Sequence, residues 1–112
     1  RVMNIIGDVK GKTCIIVDDI IDSGGTIVNA VAALKKSGAE DVYVFTTHGV
    51  LSGEAVKKIQ SSKIKKLVIT DSIDNSKKIK NHSKIEVLSI SNLMAEAIKR
   101  ISNSTSVSDL FN

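Results

Sequence analysis

The sequence predicts an α/β fold built on a mostly parallel, doubly wound sheet with an N-terminal edge hairpin, and three observations carry that expectation. Four short runs rich in β-branched residues, at 13–17, 41–47, 66–70 and 85–90, have the length and composition of strands buried on both faces. Apolar residues at helical spacing fill the first two intervals between these runs and recur after the last. The connections are too long for hairpins, which implies crossovers between parallel neighbours.

Taken in order, residues 2–9 alternate weakly and join the first run through Lys10-Gly11-Lys12, as in an antiparallel hairpin at a sheet edge. Ile27, Ala30, Val31 and Leu34 share one face of a helix over 26–37, and Gly38 stands where a helix C-cap would. Val56 and Ile59 mark a second helix over 53–60; Met94, Ala97, Ile98 and Ile101 mark a third over 92–101 and are expected in the core. Ser52 and Ser91 are the expected N-caps of these two helices. Residues 74–84 are polar and basic and read as a surface loop, while 102–112 form a Ser/Asn-rich tail with Val107, Leu110 and Phe111 as anchors.

At 112 residues, 42% hydrophobic and 25% charged, the chain suits one globular domain with a modest core. Its apolar runs are too short to cross a bilayer and no signal segment opens it, so a soluble cytoplasmic setting without a membrane partner is expected. Cys14 is the single cysteine and lies inside an apolar run, where a thiol behaves as a small inert hydrophobe. Arg1 opens the sequence and a strand-like stretch follows at once, so the chain reads as a piece of something longer. The net charge of +4 is spread over scattered lysines. Of the aromatic residues Tyr43, Phe45 and Phe111, two lie in an apolar strand and cannot serve as base-stacking platforms, so nucleic acid is not an expected partner.

The chemistry concentrates at the junction of the first strand and first helix. Ser23-Gly24-Gly25-Thr26 sets two residues without side chains between hydroxyl donors, directly before a helix whose unpaired amides carry the positive end of its dipole. That is the composition of a phosphate site. Asp18 and Asp19, at the carboxyl end of the strand, supply acceptors for sugar hydroxyls in the crevice where open α/β sheets bind ligands. With Asp22 they would repel a diphosphate, so a diphosphoryl substrate implies Mg²⁺ as charge compensation. The run Gly7-Asp8-Val9-Lys10-Gly11-Lys12-Thr13 nearly spells a nucleotide P-loop, but one residue is missing between the glycines and it leads into a strand; it reads as a turn. His48 ends the second strand on the ligand side with no second ligand at metal spacing, which favours a structural role, and His82 reads as solvated.

The segment 17–26, Val-Asp-Asp-Ile-Ile-Asp-Ser-Gly-Gly-Thr, resembles the phosphoribosyl diphosphate-binding motif shared by type I phosphoribosyltransferases and ribose-phosphate pyrophosphokinases. Val2-Met3-Asn4-Ile5-Ile6-Gly7-Asp8-Val9, Thr47-His48-Gly49-Val50-Leu51-Ser52-Gly53, Leu93-Met94-Ala95-Glu96-Ala97-Ile98 and Ser106-Val107-Ser108-Asp109-Leu110-Phe111 resemble the pyrophosphokinases, so the likeness covers essentially the whole chain. It implies that residues 1–112 are a C-terminal phosphoribosyltransferase-like domain, incomplete at its N-terminal side, of an enzyme that moves the diphosphoryl group of ATP to ribose 5-phosphate. By the same resemblance Asp18 and Asp19 hold the ribose hydroxyls and Asp22, Ser23, Gly24, Gly25 and Thr26 cradle the 5-phosphate. The catalytic loop and the ATP-binding domain would precede Arg1, leaving no catalytic residue in this stretch, which would bind without turnover. The resemblance also implies a homo-oligomer with a phosphate or nucleotide effector site, for which Arg100, Ser106, Ser108 and Phe111 are the candidates. A phosphoribosyltransferase using the same loop and a non-catalytic regulatory homologue are the alternatives.

Overall fold

The computed structural model describes residues 8–80 and 82–102. In chain order it contains β1 (Cys14–Ile21), α1 (Gly25–Lys36), β2 (Val42–Gly49), α2 (Ala55–Ser61), β3 (Lys66–Thr70), β4 (Ile85–Leu88) and α3 (Ile90–Ser102). The strands form one 4-stranded sheet in the order β1-β2-β3-β4, and every pairing is parallel. The α/β class and the parallel pairing are therefore as the sequence predicts. The expected hairpin over 2–9 lies, but for its last two residues, outside the described residues; Asp8 and Val9 are not in a strand, and a turn from Val9 O to Lys12 N (3.0 Å) leads into β1.

Register decides which residues share a face. Cys14 pairs with Val42 and Ile16 with Val44; Val44 continues to Leu67, and Leu67 to Ile85. This row meets Ile27 and Val31 of α1 and Ala55 and Ile59 of α2, so both helices cover the same face and build the core there. Burying each Val, Leu or Ile of this set contributes about 1.5–3 kcal/mol. The opposite row is open at β1, where Ile15 and Val17 are 67% and 73% exposed. Burial on both faces, expected from the apolar runs, does not hold for β1, because no described helix lies over that side of this edge strand.

Helix α1 is rich in alanine and ends in Lys35-Lys36, whose charges suit the negative end of the dipole. Its last carbonyls are closed by Gly38 N to Lys35 O (3.0 Å) and Ala39 N to Leu34 O (3.1 Å), the two bonds of a Schellman motif, with Gly38 at φ 96. Ser37 is the C-cap, one residue ahead of the expected glycine. In contrast, α3 buries no residue: Met94, Ile98 and Ile101 are 57%, 59% and 67% exposed. Their expected place in the core is corrected accordingly. Helical spacing reports an apolar stripe, and it does not report whether another element meets that stripe. The surface loop before β4 is largely as expected, save that Asn75 is buried and Ile79 packs on the core. No helix among the described residues is long and apolar enough to cross a membrane.

Candidate functional site

Strand β1 runs to Ile21, four residues beyond the expected end at Val17, so Asp18 and Asp19 are strand residues and only 22–24 connect β1 to α1. The extension is not regular. Asp18 pairs with Thr46 on the helix side, and Ile21, three residues on, is also buried there, although regular alternation would put them on opposite faces. The neighbouring strand slips likewise: Thr46 is buried on the helix side, and a Cβ on Gly49 would point at Ile69 of that same side, 2.8 Å from its Cδ1. This paired slip leaves Asp19 and Ile20 both exposed at the carboxyl ends of the strands.

Gly24 then turns the chain into α1 with φ 85, a left-handed geometry that costs a side-chain-bearing residue about 1–2 kcal/mol. It is the N-cap and contributes no side-chain bond, and the first turn of α1 holds no acidic residue. The first intrahelical bond joins Val28 N to Gly24 O (2.9 Å), so the amides of Gly25, Thr26 and Ile27 have no carbonyl of the helix to meet. Asp18, Ile20, Ile21, Asp22, Ser23, Gly24, Thr26 and Ile27, but not Gly25, line a cleft of about 210 Å³ at the amino end of α1. That is smaller than the roughly 300–1,000 Å³ of sites for drug-sized ligands and is scaled to a phosphate with part of a sugar.

The carboxylates are held in different ways. Asp18 Oδ1 accepts from the Asp19 amide at 2.8 Å. Asp19 does not line the cleft; its Oδ1 lies 3.9 Å from His48 Nε2, and His48 Nδ1 is 2.9 Å from Ser72 Oγ. Asp22 Oδ1 accepts from the hydroxyl of Ser52. Ser52 is therefore not the N-cap of α2, which is Glu54, and its link to Asp22 is what the sequence reading missed; proximity in space left no mark in the spacing of 22 and 52. Among the described residues no three His, Cys, Asp or Glu side chains converge on a metal-sized point. Asp18 and Asp19 can still offer the one or two oxygens that Mg²⁺ takes from protein when phosphates complete its shell.

Of the other candidates, Arg100 lies on α3 with Nε 3.5 Å from Glu96 Oε1, while Ser106, Ser108 and Phe111 lie outside the described residues. Of the near-P-loop, 8–13 lies among the described residues, and Gly11, at φ 72, sits in the turn before β1.

A family model described as the phosphoribosyl synthetase-associated domain matches residues 1–112. The chain belongs to this family. It is 57% identical over 111 residues to a ribose-phosphate pyrophosphokinase of Brucella melitensis, covering 99% of this chain and 36% of the relative. It is 50% identical over 112 residues to the Vibrio cholerae pyrophosphokinase, covering 100% of this chain and again 36% of the relative. Among solved structures, the phosphoribosylpyrophosphate synthetase of Mycobacterium smegmatis superposes with a TM-score of 0.76 at 40% identity, over 88% of this chain and 33% of that one. Members of the family at this level of identity share the fold, and the chain spans about a third of the length of the curated relatives it matches.

Proposed function

We propose that this chain is the sugar-phosphate-binding part of a ribose-phosphate pyrophosphokinase. In the proposed reaction the anomeric oxygen of ribose 5-phosphate forms a bond to the β-phosphorus of ATP as the bridge to the α-phosphate breaks, giving phosphoribosyl diphosphate and AMP. The observation that carries this reading is the cleft of about 210 Å³ in which carboxylates and the uncapped amino end of α1 face the same space. A phosphate dianion there gains hydrogen bonds from the amides of Gly25, Thr26 and Ile27 and charge stabilisation from the dipole. Thr26 Oγ adds a hydroxyl donor, and Asp18 and Asp19 accept from the ribose hydroxyls.

The work of these residues is to bind and orient: the 5-phosphate fixes one end of the sugar, and the carboxylates fix its rotation. Asp18 or Asp19 would hold Mg²⁺, which would offset the charge that three nearby carboxylates present to a diphosphate. The groups that bind ATP and stabilise the transferring phosphorus are proposed to lie in the remaining two thirds of the relatives' length, so this stretch alone binds without turnover.

Calorimetric titration with ribose 5-phosphate, with and without Mg²⁺, tests the assignment beside an Asp22→Ala, Thr26→Ala double variant. Binding that the double variant loses by at least about tenfold is the expected outcome, since it removes the Thr26 hydroxyl that would donate to the phosphate and the Asp22 carboxylate that shapes the loop. A folded sample that binds equally well with both side chains removed would place the sugar phosphate elsewhere.

A further inference from the structure

Asp22 occupies a position where a carboxylate is a hazard. It stands two residues ahead of Gly24, and an aspartate so placed readily turns its side chain onto the backbone amide two residues on. Such a turn would set a negative charge against the amino end of α1, where a phosphate is meant to sit. In the structure the carboxylate is instead taken by Ser52, whose hydroxyl donates to Asp22 Oδ1 and whose amide donates to Asp22 O at 3.0 Å. Ser52 belongs to the β2–α2 connection, yet its hydroxyl is not spent on α2, which has Glu54 at its N-cap and no side-chain cap bond.

This connection is fastened on both sides. Toward the site, Val50 N and Leu51 N both donate to Ile21 O, at 2.9 and 3.3 Å, and a Cβ placed on Gly24 would lie 3.8 Å from Ala55 at the start of α2. Leu51 is held at φ 52 with its side chain 1% exposed, a left-handed backbone in a non-glycine residue that only firm packing sustains. From behind, Lys78 Nζ donates to Val50 O (3.1 Å) and Leu51 O (3.3 Å), and Asn75 Nδ2 donates to Gly49 O (2.6 Å). The loop that carries Lys78 is itself braced: Asp74 Oδ1 accepts from Ser76 N at 3.0 Å, and the bonds from the Ser76 backbone and side chain hold the Asp74 carboxyl below its ordinary value.

We propose that Ser52 is a positioning residue that keeps the Asp22 carboxylate off the amino end of α1, and that Lys78 holds Ser52 in place through the carbonyls of Val50 and Leu51. The proposal deepens the sugar-phosphate reading and, for its effect on ligand, rests on it. Asp22 then shapes the loop with its side chain and leaves the amides to the ligand.

The test uses the full-length protein with Ser52→Ala, Ser52→Thr and Lys78→Met. Ser52→Ala is expected to raise KM for ribose 5-phosphate about tenfold, as the freed carboxylate turns onto the backbone amides that the phosphate would use, with KM for ATP unchanged. Ser52→Thr, which keeps the hydroxyl, restores the parent value, and Lys78→Met, outside the cleft, shifts KM for ribose 5-phosphate in the same direction by a smaller factor. An unchanged KM for ribose 5-phosphate in Ser52→Ala, or equal rises for both substrates together with a lower melting temperature, would overturn the proposal. Amide exchange at Gly24, Gly25 and Thr26, measured without ligand, separates it from the functional reading. Altered exchange in Ser52→Ala that Ser52→Thr reverses supports the positioning role even where ribose 5-phosphate fails to bind the parent protein, whereas identical exchange in all variants refutes it.

Discussion

Thr46 is completely buried beneath the site, and its Oγ1 has no hydrogen-bond partner. A hydroxyl taken from water without compensation costs about 1–3 kcal/mol. Thr46→Val keeps the shape and removes the unmet polar atom, so it should stabilise the protein by about 1 kcal/mol, read as a higher denaturant midpoint at constant slope. A lower midpoint would mean that the hydroxyl is bonded in solution. The candidate site could be read at this scale, because Asp18 and Ser23-Gly24-Gly25-Thr26 lie on one short segment and their chemistry is local: a carboxylate, small residues, hydroxyls and a helix start. Ser52 was not legible. Its signal as a serine near the start of a helical run is the same whether it caps that helix or reaches across to Asp22, and only the packing of the β2–α2 connection on β1 decides between them.

Among the elements, α3 depends most on its own ends. Ser89 Oγ accepts from Asn92 N at 3.2 Å, and Asp71 Oδ1 accepts from Ile90 N at 2.8 Å, so the cap is Ser89 and not the expected Ser91. Ser89, Ser91 and Asn92 are all good capping types, and composition cannot choose among them. Because α3 buries no residue, loss of the cap has little tertiary packing to fall back on. Ser89→Ala should cost the helix about 1 kcal/mol. The expected signature is faster amide exchange confined to 92–96, with the exchange of β2 and β3 unaltered; a uniform change across the sheet would mean that α3 is integral to the core. The strands were easier to read than this helix, since Val42, Val44, Leu67 and Ile69 follow period two and have helices above them. Strand β1 carries the same apolar run, but half of it faces outward.

At the scale of the whole molecule, Ile15 and Val17 make an exposed apolar row along β1, the edge strand of the described sheet, on the face opposite α1 and α2. Rows of this kind, next to unpaired strand backbone, promote association. The 112-residue chain is expected to self-associate with rising concentration, and an Ile15→Thr, Val17→Lys variant to do so less; light scattering that reports a monomer of the parent chain at all concentrations would refute this. The order β1-β2-β3-β4 has a further consequence, for the route by which the sheet forms. Each strand pairs with the next one in sequence, so every ladder closes only its own intervening connection, and the entropy of closure is met in small instalments. A chain emerging amino end first from the ribosome can therefore lay down this sheet strand by strand, and the 22–24 loop, enclosed between β1 and β2, is framed by the first pair in the described order.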